Sequence, residues 1–222
     1  MAHALPLTEP ETCGFLYLAI QCGRPGKMPI YRQTATRRRG ESRLIEAAQQ
    51  LEKQPDVASV RVFRTQLVPP IPGAPRHDLA LLIRTPSIDQ LDSVRANTTV
   101  RALGGTELLA GANAARIGDT ESDPDAHFLL NHFTVDGDAD PVEAWLGLTN
   151  WYTATMRVDN STALRASDGN AQFPLVNYVR LPSAPAPFLL NQLRRPSFHR
   201  VVRGTLKRNR MRALPGFYRM IR

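Results

Sequence analysis

The sequence predicts an α+β fold of two tandem ferredoxin-like units, each running β-α-β-β-α-β, and three observations carry that prediction. Residues 82–101 (LIRTPSIDQLDSVRANTTVR) and 178–200 (YVRLPSAPAPFLLNQLRRPSFHR) share a plan. In both, an apolar run carrying an Arg leads into Pro-Ser, then an amphipathic stretch, then a polar break and another helical turn. The two openings also match, with Phe15-Leu-Tyr-Leu-Ala-Ile-Gln21 set against Phe128-Leu-Leu-Asn-His-Phe-Thr134. Finally, the spacing between copies is near 100 residues, too long for a solenoid repeat and suited to a small duplicated domain. The expected units are residues 1–118 and 119–222.

Each element has a local reason. Residues 1–13 carry no periodic pattern and are expected to be disordered. Residues 15–22 (FLYLAIQC) are a short, bounded apolar run, hence a buried strand. Residues 23–40 are rich in Gly, Pro and Arg and are expected to form a loop. From Ser42, a possible N-cap, Leu44, Ile45, Ala48 and Leu51 share one helical face to residue 54. Residues 57–67 alternate as a half-buried strand, 78–85 form a strand, 87–102 a helix, and 106–116 the closing strand. Asp119 to Asp125 link the units. The second unit places strands at 127–135, 161–167, 173–181 and 216–221. Pro141, at a first helical position, opens a helix whose buried stripe is Trp145, Leu148, Tyr152 and Met156. Residues 184–206 are helical in two pieces broken at Pro196.

Composition narrows the function classes. The chain has 222 residues, 42% of them apolar, and no stretch approaches the ~18 apolar residues of a membrane span. The N-terminal residues lack a basic region followed by an apolar core, so a cytoplasmic protein with no membrane partner is expected. If residues 13–22 form a strand, Cys13 and Cys22 stand roughly 30 Å apart, as free thiols. His127 and His132 fall on opposite strand faces and make no metal pair; no metal is expected. Charge is uneven within a net +8: residues 119–143 hold eight acids, none follows Asp168, and residues 180–222 hold eleven Lys or Arg. A basic stretch alone is weak evidence for nucleic acid, and the base-stacking aromatic pair of such proteins is missing, so nucleic acid is disfavoured as a partner.

The second unit resembles the antibiotic-biosynthesis monooxygenase family of dimeric α+β barrels. The resemblance rests on Phe128-Leu-Leu-Asn131, Leu164-Arg-Ala166, Phe173-Pro-Leu-Val-Asn-Tyr-Val-Arg180, Pro196-Ser-Phe198 and Leu214-Pro-Gly-Phe-Tyr218. It implies an intramolecular pseudo-dimer, two sheets pairing around a shared apolar cavity, and it leaves a homodimer of such pseudo-dimers open. It also implies that one face of each second-unit strand looks into that cavity: Leu129, Asn131 and Phe133 on one strand, and Phe173, Leu175, Asn177, Val179 and Leu181 on its neighbour. Asn131 and Asn177 would then be two amides in an apolar site, able to orient a ligand oxygen, or else bonded to each other or to the backbone. Their counterparts in the first unit are Leu18 and Leu81, so any site belongs to the second.

Three functions compete. The resemblance implies a cofactor-independent monooxygenase or cyclase-like enzyme acting on an aromatic or polyketide-like molecule. Asn131, Asn177, Trp151 and Arg165 are its candidate catalytic residues, and Leu129, Phe133, Phe173, Leu175, Val179 and Leu181 its substrate contacts. The second function is a non-catalytic binder of an apolar small ligand, and the third a nucleic-acid binder using the basic C-terminal segment. No cofactor is expected. The haem-degrading branch of the superfamily is matched at Asn131 but not at Leu181 or Val202, which stand where that branch has Trp and the haem-ligating His.

Overall fold

The computed structural model describes residues 7–23 and 29–222, so part of the expected N-terminal disorder lies outside the described residues. Strands β1 (Leu7–Thr8), β2 (Gly14–Ile20), β3 (Ser59–Leu67), β4 (Leu79–Thr85) and β5 (Thr106–Ile117) precede β6 (His127–Val135), β7 (Ser161–Ala166), β8 (Leu175–Leu181) and β9 (Met211–Met220). The helices are α1 (Ala35–Leu51), α2 (Leu91–Ala96), α3 (Thr98–Ala102), α4 (Pro141–Met156), α5 (Pro185–Leu193) and α6 (Arg203–Arg208). Helix α1 begins inside the expected loop. Thr34 caps it by accepting from the Arg37 N–H, and most of the Thr36–Arg39 side chains stay in solvent, so the arginines do not oppose a helix. Within the stretch expected to be disordered, Leu7 and Thr8 pair with Ile117 and Arg116.

All strand pairings are antiparallel. The order β5-β2-β4-β3 in the first half recurs as β9-β6-β8-β7 in the second, and β3–β9 and β5–β7 pairings close eight strands into one barrel. Closure leaves these eight strands without a free edge. At the β5–β7 seam, a Cβ on Gly111 would lie 1.8 Å from the Arg165 carbonyl oxygen, so only glycine allows this approach.

Each of the eight barrel strands has two largely buried faces. The outward face packs under the helices: Leu16, Leu18, Leu81 and Ile83 meet Leu44, Ala48 and Leu51 of α1 in the first half. In the second half, Leu129, Phe133, Leu175 and Val179 meet Trp145, Leu148 and Phe188. The inward face fills the barrel with Phe15, Tyr17, Phe63, Leu82, Phe128, Leu130, Tyr178, Leu214 and Tyr218. This corrects the expected shared cavity, because aromatic side chains occupy the space between the two sheets. Phe63, Phe128 and Tyr178 pack with ring centroids 5.6–5.7 Å apart.

A polar chain crosses this interior. His132 Nδ1 faces the Leu214 carbonyl at 3.0 Å and must donate to it, which leaves Nε2 to accept from the Tyr17 hydroxyl at 3.2 Å. Tyr17 lies 3.3 Å from the Tyr218 hydroxyl, itself 3.0 Å from His77 Nε2. Two members come from each half. All four are buried, and burial lowers His77 to about 3 and His132 to about 4. Gly216 makes room for this chain, since a Cβ there would meet the Tyr218 hydroxyl at 2.5 Å.

Candidate functional site

The candidate site lies between the second half's sheet and its helices. Asn131 of β6 and Asn177 of β8 are direct register partners, which sets their Cβ atoms about 5 Å apart on one face. Asp140 caps α4 by accepting from the Val142 and Glu143 N–H groups, and Pro141 follows at the first position. The helix then lays Trp145, Leu148, Thr149 and Tyr152 over the two amides. The chain breaks at Pro196, and a turn of π-helix over Phe198–Val202 directs Phe198 and Val202 inward.

Between these layers lies a small cavity of about 50 Å³, lined by Leu129, Asn131, Phe133, Trp145, Leu148, Asn177, Val179, Phe188 and Val202 among others. It continues past Asn131, Tyr152 and Leu206 into a wider cleft of about 470 Å³, partly open to solvent and bordered by Ile71, Gln192, Leu193 and Arg203. Neither space is lined by a carboxylate, histidine or cysteine. Wall hydroxyls have partners inside the protein: Thr149 donates to the Trp145 carbonyl at 2.7 Å, and Tyr152 to Gln192 Oε1 at 3.2 Å. Burial raises the Tyr152 phenol above its ordinary range, so it stays protonated.

The two amides differ. Ser161 Oγ donates to Asn177 Oδ1 at 2.6 Å, which fixes that amide and leaves its NH₂ as a donor. Asn131 Oδ1 is shielded from solvent and has no hydrogen-bond partner. Such an acceptor costs roughly 1–3 kcal/mol when left unpaired. The pair therefore offers one acceptor and one donor, side by side, in apolar surroundings. They do not bond to each other.

The other sequence candidates divide. Leu129, Phe133 and Val179 line the cavity with the amides. Leu175 and Leu181 pack in the same outer core without lining it. Phe173 is corrected: it precedes β8, out of register beyond Pro174, and lies inside the barrel with its ring 5.1 Å from His132. Trp151 is buried beside the cavity, where its Nε1–H donates to Ser197 Oγ at 3.1 Å and its ring packs on Phe198. Arg165 sits on the same strand face as Ser161 but at the strand's far end, and pairs with Asp140 on the surface. Neither Trp151 nor Arg165 lines the cavity. Ser161, Thr149 and Tyr152 are the polar wall residues that sequence reasoning missed. A hydroxyl on the apolar strand Ser161–Ala166, two residues before Ala163 opposite Asn177, was the available signal for Ser161.

Haem does not fit these residues. Val202 occupies the position the resemblance gives to the ligating His, and no histidine lines either space. Among the described residues no group of three His, Cys, Asp or Glu side chains could hold a metal. His199 is exposed, with Nε2 2.9 Å from the Leu193 carbonyl at the end of α5, a capping contact.

No family model matches the sequence, and no curated protein matches it. Solved structures do. An anthrone oxidase-like protein superposes with TM-score 0.64 at 14% identity, covering 98% of this chain and 95% of that one. Chlorite dismutase from Candidatus Nitrospira defluvii in complex with imidazole gives 0.56 at 13%, covering 95% and 92%. A putative monooxygenase from Lactobacillus acidophilus NCFM gives 0.51 at 10%, covering 94% of each chain. At these identities the likeness shows the fold alone: this chain shares the α+β barrel fold of those three structures. Among the described residues, no helix is long and apolar enough to cross a membrane.

Proposed function

We propose that the second half is a cofactor-independent oxygenase acting on an aromatic or polyketide-like molecule, on a chain built by tandem duplication of a ferredoxin-like unit, residues 1–118 and 119–222. The repeated strand order supports the duplication. The observation that carries the activity is the amide pair, with Asn131 Oδ1 unpartnered and the Asn177 amide pinned by Ser161. A substrate with neighbouring hydroxyl and carbonyl groups satisfies both: the hydroxyl donates to Asn131 Oδ1, and the carbonyl oxygen accepts from the Asn177 NH₂. When a CH₂ conjugated with that carbonyl loses a proton, charge moves onto that oxygen, and the Asn177 donor stabilises it. The carbanion gives an electron to O₂, the C–O bond forms, and the resulting hydroperoxide loses water. The CH₂ and O₂ thus become C=O and H₂O, the substrate supplying all electrons. The apolar wall keeps water from quenching the carbanion. With no carboxylate or histidine in the wall, the substrate's own acidity sets the rate of proton loss.

The same absence of a base favours a second reading, in which the cavity holds an apolar ligand without turnover. Oxygen-electrode assays with 1,8-dihydroxyanthrone as probe, which carries hydroxyls beside its carbonyl, separate the two. The oxygenase predicts O₂ uptake that falls at least about 10-fold in Asn131→Leu and in Asn177→Leu, with the fold intact. Binding of the probe with no uptake above its spontaneous oxidation selects the carrier; uptake indifferent to both substitutions rejects the site.

A further inference from the structure

We propose that the cavity mouth docks on an anionic lipid surface. Six large hydrophobic side chains are exposed among the described residues, and Ile71, Leu190 and Leu193 of these lie at or beside the mouth. Leu190 and Leu193 are 57% and 52% exposed, on the outer face of α5, three positions apart. Cations surround them. His199 Nε2 meets the Leu193 carbonyl at 2.9 Å, and Arg203 Nη1 lies 3.4 Å from His199 Nδ1, so His199 links the end of α5 to Arg203, and Leu193 and Arg203 border the same cleft. Arg194 follows Leu193, and Arg200, Arg203 and Lys207 are exposed along the next helical run.

Among the described residues none of Arg194, Arg200, Arg203 and Lys207 forms an ion pair. Elsewhere Arg61, Arg84, Arg95, Arg116 and Arg165 each meet an acid, while exposed Arg38, Arg39 and Arg43 on α1 form no ion pair among the described residues either but have no exposed large hydrophobic beside them on that helix. No acid occurs anywhere in the chain after Asp168. Unpaired cations alone would suit nucleic acid or lipid equally. The exposed leucines decide between them, because aliphatic side chains gain by leaving water for the acyl boundary and contribute little to a phosphodiester backbone. The chemistry therefore fits a negatively charged bilayer surface, with leucines inserted and arginines at the headgroups. Such docking needs no spanning helix, so it replaces the expectation of no membrane partner drawn from the lack of one. It would place the mouth against the phase into which an apolar cargo partitions. It rests on the cavity reading only for that cargo, and vesicle binding is measured without turnover, so the two fail separately.

The test is co-sedimentation of the purified chain with phosphatidylcholine vesicles, and with the same vesicles one-third phosphatidylglycerol. Binding is expected to the anionic vesicles only, and to be lost at about 0.5 M salt. The triple variant R194Q/R200Q/K207Q should weaken it by on the order of 100-fold, and Leu190→Ser by several-fold, both with unchanged far-UV circular dichroism. Equal binding to both vesicle types would overturn the proposal, as would no binding at all. Tighter retention on duplex DNA, indifferent to Leu190→Ser, would assign the cations to nucleic acid instead.

Discussion

The two halves of the barrel share a strand order and differ in what lies between sheet and helices. In the first half, Leu18 and Leu81 are register partners buried in the apolar layer under α1, away from the polar-edged pocket at the end of that helix. In the second, Asn131 and Asn177 occupy the same pairing positions beside a cavity. The same geometry thus serves as packing where two side chains are leucine and as a polar-tipped pocket where they are asparagine. A strand pair holds its side chains at fixed spacing whatever they are; residue choice and helix stand-off decide whether the layer is core or site.

The comparison can be broken most severely at what the halves share. His77 and His132 titrate at about 3 and about 4 in the barrel, below the ordinary 6.5. The unfolded chain therefore binds protons that the native state refuses. Stability conferred by the neutral rings is complete above pH 6.5 and is lost as pH falls toward 4. At about 1.4 kcal/mol per pH unit for each ring, the two together remove roughly 5 kcal/mol by pH 4.5. Urea midpoints between pH 7.5 and 4.5 should show this slope, and His132→Gln should flatten it; an unchanged slope would reject the histidines as its source.

Giving the first half the second half's residue is the next largest effect. Leu81→Asn leaves an unpaired amide in a buried apolar layer, and should cost about 4 kcal/mol in urea unfolding. Gly111→Ala forces the β5–β7 seam apart and should cost about 3 kcal/mol, read as a fall in melting temperature. Trp151→Phe removes the bond to Ser197, costing about 1 kcal/mol with ligand binding kept. The reverse exchange is smallest: Asn131→Leu removes an unpartnered buried oxygen and should change stability by less than about 1 kcal/mol, while abolishing binding of a hydroxylated ligand by calorimetry. If Asn131→Leu proved as damaging as Leu81→Asn, the amide would be structural and the contrast between the halves would collapse.

The element order along the chain and the partition of residues into faces were legible in the sequence, because periodicity and alternation are local whatever the tertiary context. Leu129, Asn131 and Phe133 share a face, as the pattern required. Which face looks into the barrel was not legible. Both are apolar in a closed sheet covered by helices, so Leu129 and Phe128 carry the same signal for opposite environments. Placing the amides between the sheets followed from that ambiguity. Phe173 went astray because Pro174 interrupts the alternation before β8 begins. Arg165 lies on the correct face but past the cavity's floor, and position along a strand relative to a helix end is a tertiary quantity. The tyrosine–histidine chain was invisible for the same reason: Tyr17, His77, His132 and Tyr218 are brought together only by the closure of the barrel.

That closure occurs within one polypeptide, and this changes the law it obeys. When two separate subunits complete a barrel, dilution opens it, and symmetry obliges both to carry the same pocket. Here the β3–β9 and β5–β7 seams join parts of a single chain, so completion is a unimolecular event whose midpoint is indifferent to concentration. The first half is thereby released from mirroring the second, and can spend its layer on rigidity while its counterpart keeps an opening.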